Sequence, residues 1–355
     1  MAENLAPKGL DGVAVDVTSI ATTDNSGNLL YRGYRAIDLA DRKSFEEVAH
    51  LILFGKLPSA DESAKFREFL KKNSALGGRI PEIMKIEKQT NLMDSLRSYV
   101  SLEPYRNSEA GLLLAEIASK FPQIISSSAR INEGSAPLHS IDGSYAENLY
   151  YLLTEKKNPR YARFLEKLLI LYMEHEFNAS TFALRVAAST LTDPVSAIVA
   201  AISTLKGPLH GGANSEVLTY LLSFKSEEEA LKFVEEKLQR KEKVMGFGHR
   251  VYKEKDPRAQ FVKIELKKLI GNTDVYRYAT AIEEYIWEKK KLPANLDFYA
   301  ALYLKTLGID EKFYLPIFAC SRVFGWGAHY LEQQADNKII RPLSVYTGPT
   351  GLTLE

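Results

Sequence analysis

From Arg160 to Leu191 the chain follows one long apolar pattern at helical spacing, and its residues 163–191 read RFLEKLLILYMEHEFNASTFALRVAASTL. Apolar side chains cover most sides of this pattern, which is typical of a helix buried within a helical protein. His175 interrupts it between two glutamates. A lone histidine in an apolar helix is more often a hydrogen-bonded core residue than a ligand-binding one, so the pattern leaves both roles open. We predict one long buried helix here.

Much of the remaining chain also has helical patterns with recognisable ends. Ser44 and Glu47 have the spacing of a capping box, in which each side chain bonds the other residue's backbone N–H, and they predict a helix start. A second long apolar pattern covers about residues 108–127. Pro122 within it predicts a kink or a break, because proline lacks the N–H that a helix interior uses.

Residues 13–31 are the one region that predicts β structure. Val13, Val15 and Val17 alternate with smaller or polar residues, and the turn sequence 24–27 (DNSG) precedes a second apolar stretch. The sequence therefore predicts an all-α fold with a short β-hairpin near the N-terminus.

The segment between Gly211 and about Lys312 is richer in lysine and glutamate than the apolar helices on either side. We interpret it as a small helical domain, 211–312, inserted into a larger helical domain made of residues 1–210 and 313–355. The glycine-rich joint at its entry is of the kind that a hinge uses.

Composition excludes several classes of protein. A formal net charge of +1 over 355 residues argues against a dedicated nucleic-acid binder, which has a basic excess. Cys320 is the one cysteine, so no intrachain disulfide can form, and its apolar helical setting argues against a thiol mechanism. No His-x-x-x-His pair or carboxylate cluster predicts a metal site. The first residues lack a signal peptide's apolar core and no apolar run could cross a membrane, so we expect a cytoplasmic protein.

The loop 243–258 (KVMGFGHRVYKEKDPR) has the parts of a site for an anionic ligand. Gly246 and Gly248 let the backbone approach a ligand closely, and His249 follows them directly. Asp256-Pro257 predicts a helix start that presents Arg258 from its first turn. The other cations of the loop are Arg250, Lys253 and Lys255. An ordinary basic surface turn is the alternative.

Three further polar residues do not fit a simple packing role. His210 lies in a second glycine-rich break, LHGGAN, and Asp297 is a carboxylate among apolar residues, a setting that suits a general base. Asp297 could instead cap the helix that begins near Asn295, and Arg322 could belong to an internal ion pair. Together with His249, these residues indicate acid–base chemistry on a small polyanion.

Four blocks of the chain resemble the catalytic blocks of the citrate synthase family, in that family's order. They are GPLHGGANSEV (207–217), VMGFGHRVYKEKDPRA (244–259), NLDFYAAL (295–302) and the pair Ser321-Arg322. The first part of the chain, with GLDGVAVDVTSI and SFEEVAHLILFGKLP, resembles the amino-terminal region of the same enzymes. The resemblance covers essentially the whole chain and implies synthesis of citrate from oxaloacetate and acetyl-CoA, followed by hydrolysis of citryl-CoA.

The resemblance implies a role for each matching residue. Asp297 would take a proton from the methyl group of acetyl-CoA, and His210 would hydrogen-bond the thioester oxygen. His249 would polarise the ketone of oxaloacetate, and His175 would help to bind that substrate. The arginines that hold its carboxylates would be Arg258, Arg322 and Arg341.

The resemblance also implies how CoA and a second subunit take part. The backbone of Lys243, Val244, Met245, Gly246 and Phe247 would cradle the adenine of CoA, and Lys253 or Lys255 would bind its phosphates. Arg341 would reach the neighbouring subunit's site, so a homodimer is expected. The large domain would carry the dimer contacts and oxaloacetate, and the small domain would bind CoA and close over the site. No metal or permanently bound cofactor is implied.

Two alternatives stay open from the sequence. Synthesis of 2-methylcitrate from propionyl-CoA uses every motif quoted above, and one additional methylene changes binding by only about 1–3 kcal/mol. A CoA-binding scaffold that has lost the chemistry is the other, although His210, His249 and Asp297 are all present.

Overall fold

A computed structural model describes residues 5–86, 91–104, 109–211, 213–249, 251–252 and 254–354, with backbone alone at 213–215. Helices dominate this part of the chain, which confirms the all-α prediction. The helices of the first half are α1 (Ala36–Arg42), α2 (Phe45–Phe54), α3 (Ala60–Lys72), α4 (Ile80–Ile86), α5 (Leu92–Val100), α6 (Ala110–Asn132), α7 (Tyr145–Thr154), α8 (Pro159–Tyr172) and α9 (Ala179–Ser189). Those of the second half are α10 (Pro194–Leu205), α11 (Pro208–Gly211), α12 (Ala213–Ser223), α13 (Glu227–Gln239), α14 (Pro257–Ile270), α15 (Asp274–Lys290), α16 (Leu296–Thr306) and α17 (Tyr314–Ala335). Short 3₁₀ turns cover Lys8–Leu10 and Glu311–Phe313.

The β structure near the N-terminus is a small antiparallel sheet in the order β1 (Ala21–Thr23), β2 (Leu29–Tyr31) and β3 (Tyr34–Arg35). The hairpin is confirmed, but the prediction that it begins at Val13 is wrong. The central strand β2 is only three residues long and is paired on both edges, so it offers no edge to residues 13–17. Val17 is 84% exposed, so this segment does not pack into the core as the strands of the sheet do.

The predicted continuous helix from Arg160 to Leu191 is also wrong, because it is two helices, α8 and α9, with a break at 173–178. Asn178 causes the second start, since its side chain accepts from the backbone N–H of Thr181 at 3.1 Å, as an N-cap does. Glu176 adopts a left-handed backbone angle, φ +53°. His175 therefore lies in the break and not inside a helix.

Pro122 does not break α6, which is helical from Ala110 to Asn132. The proline removes one backbone donor, and the carbonyl of Ala118, four residues earlier, lies 3.5 Å from the hydroxyl of Tyr145. The predicted capping box of α2 is present. The N–H of Glu47 donates to the hydroxyl of Ser44 at 3.3 Å, and the N–H of Ser44 donates to the Glu47 carboxylate at 2.9 Å.

The last helix, α17, lies in the centre of the core, where it packs against α2, α5, α6, α8, α9 and α10. Trp326 on this helix is wholly buried. Helices α12 to α16 pack chiefly on one another, and α14 also contacts α1 and α8. The boundary of an inserted domain at 211–312 stays a prediction. Within the described ranges, no helix has the length and apolar character that crossing a membrane needs.

Candidate active site

A cavity of about 480 Å³ lies where the 173–178 break, α11, the loop before α14, the start of α16 and the middle of α17 meet. Six of the seven residues predicted to act in catalysis or substrate binding line it. These are His175, His210, His249, Arg258, Asp297 and Arg322. Residues from distant parts of the sequence thus share one concave site, which is where ligands usually bind.

The backbone itself holds His249 near Asp297. The N–H of Gly248 donates to the carbonyl of Pro293 at 2.8 Å, and the N–H of Asn295 donates to the carbonyl of Gly246 at 2.9 Å. Gly246 has φ +89°, and a β-carbon there would lie 2.9 Å from the ring of Phe298. Only glycine satisfies both conditions, so this residue is needed for the pairing of the two loops.

Asp297 is the second residue of α16, and the prediction that it might cap this helix is wrong. Asn295 is the N-cap, because its side-chain oxygen accepts from the N–H of Asp297 at 3.1 Å. The carboxylate of Asp297 lines the cavity at a helix N-terminus, where the helix dipole favours negative charge.

His210 is held by the residues that begin α9. Its Nε2 accepts from the backbone N–H of Ser180 at 3.3 Å and lies 2.9 Å from the Ser180 hydroxyl. The indole N–H of Trp326 donates to that hydroxyl at 3.3 Å. Burial, with the positive charge of Arg322, lowers the pKa of His210 to about 4. The ring is therefore neutral at pH 7, with its proton on Nδ1.

His175, His249 and Tyr252 form an aromatic cluster in the cavity wall. The Nε2 of His175 lies 3.2 Å from the hydroxyl of Tyr252, and the two imidazole centres are 5.1 Å apart. The backbone N–H groups of Val251 and Tyr252 point at Nδ1 of His249, at 3.1 and 3.3 Å. Burial and the neighbouring positive charges lower the pKa of His175 well below its ordinary value, so this ring is also neutral.

Two arginines bring buried positive charge to the cavity. Arg258 is 5% exposed, and Asp256 holds it through Nε at 3.0 Å and Nη2 at 2.8 Å. Burial opposes its charge, but Asp256, Tyr252 and Tyr31 together outweigh burial and raise the pKa of Arg258. Arg322 is 2% exposed, and its Nε donates to the carbonyl of Tyr172 at 2.8 Å. Fixed guanidinium groups of this kind suit a dicarboxylate.

Sequence reasoning missed the residues that hold these groups in place. One of them is His329, which is wholly buried and whose Nε2 lies 2.9 Å from a carboxylate oxygen of Glu174. Arg322, Trp326 and His329 lie on one face of α17, at positions i, i+4 and i+7. That spacing of polar side chains in an apolar helix was the signal available.

The other predicted site residues that the structure describes do not line this cavity. Arg341 is exposed in the extended segment after α17. Val244 and Gly246 are buried, and the carbonyl of Met245 accepts from the hydroxyl of Tyr220 at 2.9 Å. The exposed lysines are Lys243 and Lys255, Phe247 is partly buried, and Lys253 lies outside the described residues. The CoA assignments stay predictions.

A second cavity, of about 750 Å³, adjoins the first and shares Phe177, Asn178 and His210 with it. Its other wall is the N-terminal segment from Gly9 to Thr18. Cys320 lines neither cavity; it is buried, and burial raises the pKa of its thiol. Among the described residues, no group of three or more His, Cys, Asp and Glu side chains is placed to hold a metal ion.

Comparison with known proteins identifies the family. Residues 9–343 match the family model described as the C-terminal domain of citrate synthase. Citrate synthase 2 of Bacillus subtilis is 40% identical, over 97% of this chain and 96% of that protein, and 2-methylcitrate synthase of Shewanella oneidensis is 39% identical, over 98% and 96%. Citrate synthase of Thermoplasma acidophilum, solved in a ternary complex with carboxymethyl coenzyme A and oxaloacetate, superposes with a TM-score of 0.89 at 30% identity, covering 98% of this chain and 97% of that one. The chain belongs to the citrate synthase family.

Proposed function

We propose that this protein condenses acetyl-CoA with oxaloacetate and hydrolyses the resulting citryl-CoA to citrate and CoA, as an acyltransferase. The observation that carries the proposal is the meeting of a carboxylate, three imidazoles and two buried arginines in one cavity of about 480 Å³. Family membership supports it. The reaction needs a base for a carbon acid, a donor to the enol oxygen and cations for a dicarboxylate, and the cavity contains each of these.

Asp297 is the base that removes a proton from the methyl group of the thioester. His210 donates a hydrogen bond from Nδ1 to the thioester oxygen as negative charge develops there. Its Nε2 faces the backbone N–H of Ser180, which leaves Nδ1 for the substrate. A neutral donor suits this step. Because the pKa of His210 is about 4, the imidazole is uncharged at neutral pH and stabilises the developing negative charge through its single N–H.

Arg258 and Arg322 hold the carboxylates of oxaloacetate, and His249 donates to its ketone oxygen. Bidentate pairing fixes the orientation of a carboxylate, so the ketone carbon faces the nucleophile in one way only. His175 lies 5.1 Å from His249, between ring centres, and completes the wall around the same substrate.

The residues of the site come from both predicted domains, and closure of these domains over oxaloacetate fits the order of the reaction steps. His249, Arg258 and Asp297 belong to the predicted inserted domain, whereas His175, His210 and Arg322 belong to the larger one. Oxaloacetate that binds both sets draws them together, excludes water while the enol exists, and so prevents early hydrolysis of the thioester.

The proposal includes a homodimer in which Arg341 completes the partner's site. Arg341 is exposed in an extended segment, which is free to lie against a second copy of the chain. The glycine turn before His249 would receive the adenine of CoA.

Synthesis of 2-methylcitrate is the second candidate, and one relative with that name is 39% identical over 98% of this chain. One methylene in an apolar pocket changes specificity by only about 10- to 200-fold, so both thioesters are expected to react to some degree.

Free-thiol release with acetyl-CoA and with propionyl-CoA tests the proposal. We expect release that depends on oxaloacetate, with the larger kcat/KM for acetyl-CoA. The control is Asp297→Asn protein, which should release almost none. A larger kcat/KM for propionyl-CoA would reverse the order of the two candidates, and a folded protein that binds CoA without any release would favour a scaffold.

A further inference from the structure

The residue before His175 has a carboxylate that points away from the cavity. Glu174 is wholly buried, and its Oε1 lies 2.9 Å from Nε2 of His329, which is also wholly buried. The fit is close, because a β-carbon at Gly325 would lie 2.3 Å from the other carboxylate oxygen of Glu174. Glu174 is thus packed tightly against α17.

The contact continues through Arg185 on α9. Nη1 of Arg185 donates to Nδ1 of His329 at 3.2 Å, so the His329 proton lies on Nε2 and is donated to Glu174. The same Nη1 lies 2.9 Å from Glu332, and Nη2 donates to Asp16 at 2.7 Å. Arg185 is 2% exposed, whereas the side chain of Asp16 is 42% exposed. A line of hydrogen bonds therefore runs from the N-terminal segment to the residue beside His175.

This line also supports Phe177, two residues after His175. The Arg185 guanidinium lies 4.5 Å from the centre of the Phe177 ring, and the His329 ring meets Phe177 edge-on at 5.5 Å. Phe177 lines the catalytic cavity and the larger cavity beside it. Both ends of the 173–178 break are thereby tied to the same buried charges, with His175 between them.

Buried charges are costly unless each one has partners, and removing one partner leaves the others exposed to that cost. An apolar core could fill the same space more simply. A chain of four polar groups that ends at Glu174, beside the cavity residue His175, instead fixes one orientation of the break. Asp16 is the end that can be changed with least disturbance of the core, because it is partly in solvent.

We propose that Asp16, Arg185, His329 and Glu174 form a relay of positioning residues that holds the 173–178 break in the orientation that binds oxaloacetate. None of the four lines the catalytic cavity. The inference rests on the proposed function and adds to it that the N-terminal segment, through Asp16, sets the affinity for the keto acid and not for the thioester.

The test is titration calorimetry of oxaloacetate into the protein and its Asp16→Asn variant, together with steady-state KM values for acetyl-CoA. We expect the variant to bind oxaloacetate about 5- to 30-fold more weakly, while KM for acetyl-CoA at saturating oxaloacetate changes less than about twofold. Asp16→Glu should recover most of the affinity. The matched control is Asp142→Asn, which removes a surface partner of Lys71 far from the cavity and should change neither constant.

His329→Gln gives a second measurement, since glutamine keeps a donor for Glu174 but offers Arg185 no acceptor in the place of Nδ1. We expect the same selective loss of oxaloacetate affinity. Each variant is measured at least 15 °C below its own melting temperature. Variants that melt earlier yet bind oxaloacetate like the wild type would show that the relay only stabilises the fold, and the inference would be wrong. A folded wild type that binds no oxaloacetate would instead contradict the proposed function.

Discussion

Asp297 lies at the start of α16 with Asn295 as the helix cap, so its carboxylate can be changed without removing the cap. Asp297→Asn keeps the shape and removes the base. We expect kcat to fall by about 10²–10⁴-fold, because general-base catalysis contributes that much. Oxaloacetate binding should stay within about threefold, since the arginines hold the substrate. Quenched-flow or thiol-release assays measure the first quantity and calorimetry the second.

The opposite pattern would remove Asp297 from the role of base. A variant with near-normal kcat but weak oxaloacetate binding would make it a positioning residue. Asn295→Ala is a useful comparison, because it removes the cap instead of the base. It should lower the melting temperature through a loss of about 1 kcal/mol.

His210 gives a prediction about pH. Its pKa is lowered from 6.5 to about 4 in the folded protein by burial and by Arg322, so the unfolded chain gains a proton at a higher pH than the folded one. The stabilisation is complete above pH 6.5 and is lost as pH falls towards 4, by up to about 3 kcal/mol. Urea unfolding from pH 7.5 to 4.5 should show this loss, and His210→Gln should make the curve flatter. An equally steep curve for the variant would assign the dependence to other groups.

At the scale of elements, the two breaks that carry function differ in how far sequence predicts them. Gly246 and Gly248 predict their loop from the sequence, because two glycines at that spacing are typical of few other structures. The 173–178 break is harder to predict, because strongly apolar helical patterns lie directly before and after it. Asn178 was the available sign, since asparagine is a strong helix cap, but the surrounding hydrophobic residues favour one long helix.

Gly246→Ala tests the pairing of the two catalytic loops. An alanine at this position would have to adopt φ +89°, and its β-carbon would lie 2.9 Å from the ring of Phe298. We expect a loss of about 2–4 kcal/mol in the free energy of unfolding, together with a fall in kcat, since the loops hold His249 near Asp297.

Gly55→Ala is the matched control for that change. Gly55 has φ +83° but no atom within 4 Å of its missing β-carbon, so it should lose only about 1 kcal/mol and keep its kcat. Chemical denaturation and thiol release on the same preparations separate the two effects. Equal losses at the two positions would show that backbone strain alone matters and that the contact with Phe298 does not.

At the scale of the whole molecule, the helical class and the set of cavity residues could be predicted from sequence, the latter because the motifs resemble those of one family. Contacts between side chains that are far apart in the sequence could not be predicted. The sequence around His175 does not indicate that Glu174 contacts His329 on α17, or that Arg185 forms an ion pair with Asp16. Such contacts depend on how helices cross, and helical periodicity says only which face is apolar.

Arg341 is proposed to complete the active site of the partner subunit, so its role depends on the assembly of the whole molecule. Arg341→Ala should weaken oxaloacetate binding by about tenfold or more, as expected when one of several charged partners of a carboxylate is removed. Dimers that combine an Arg341→Ala subunit with an Asp297→Asn subunit decide where the arginine acts. Action across the interface leaves one complete site and restores activity. Action within its own chain leaves none, and inactive mixed dimers would contradict the proposal.

Arg322, Trp326 and His329 share one face of α17, and this has a consequence for how the protein can change. Each residue of an α-helix turns the next by about 100°. Adding or deleting a single residue between Tyr314 and Arg322 would therefore swing the substrate arginine, the indole behind Ser180 and the imidazole behind Glu174 out of register together. A substitution on this helix alters one contact at a time, whereas an insertion or deletion would displace all three side chains together. The number of residues in this part of α17 is therefore the feature of the fold that tolerates change least.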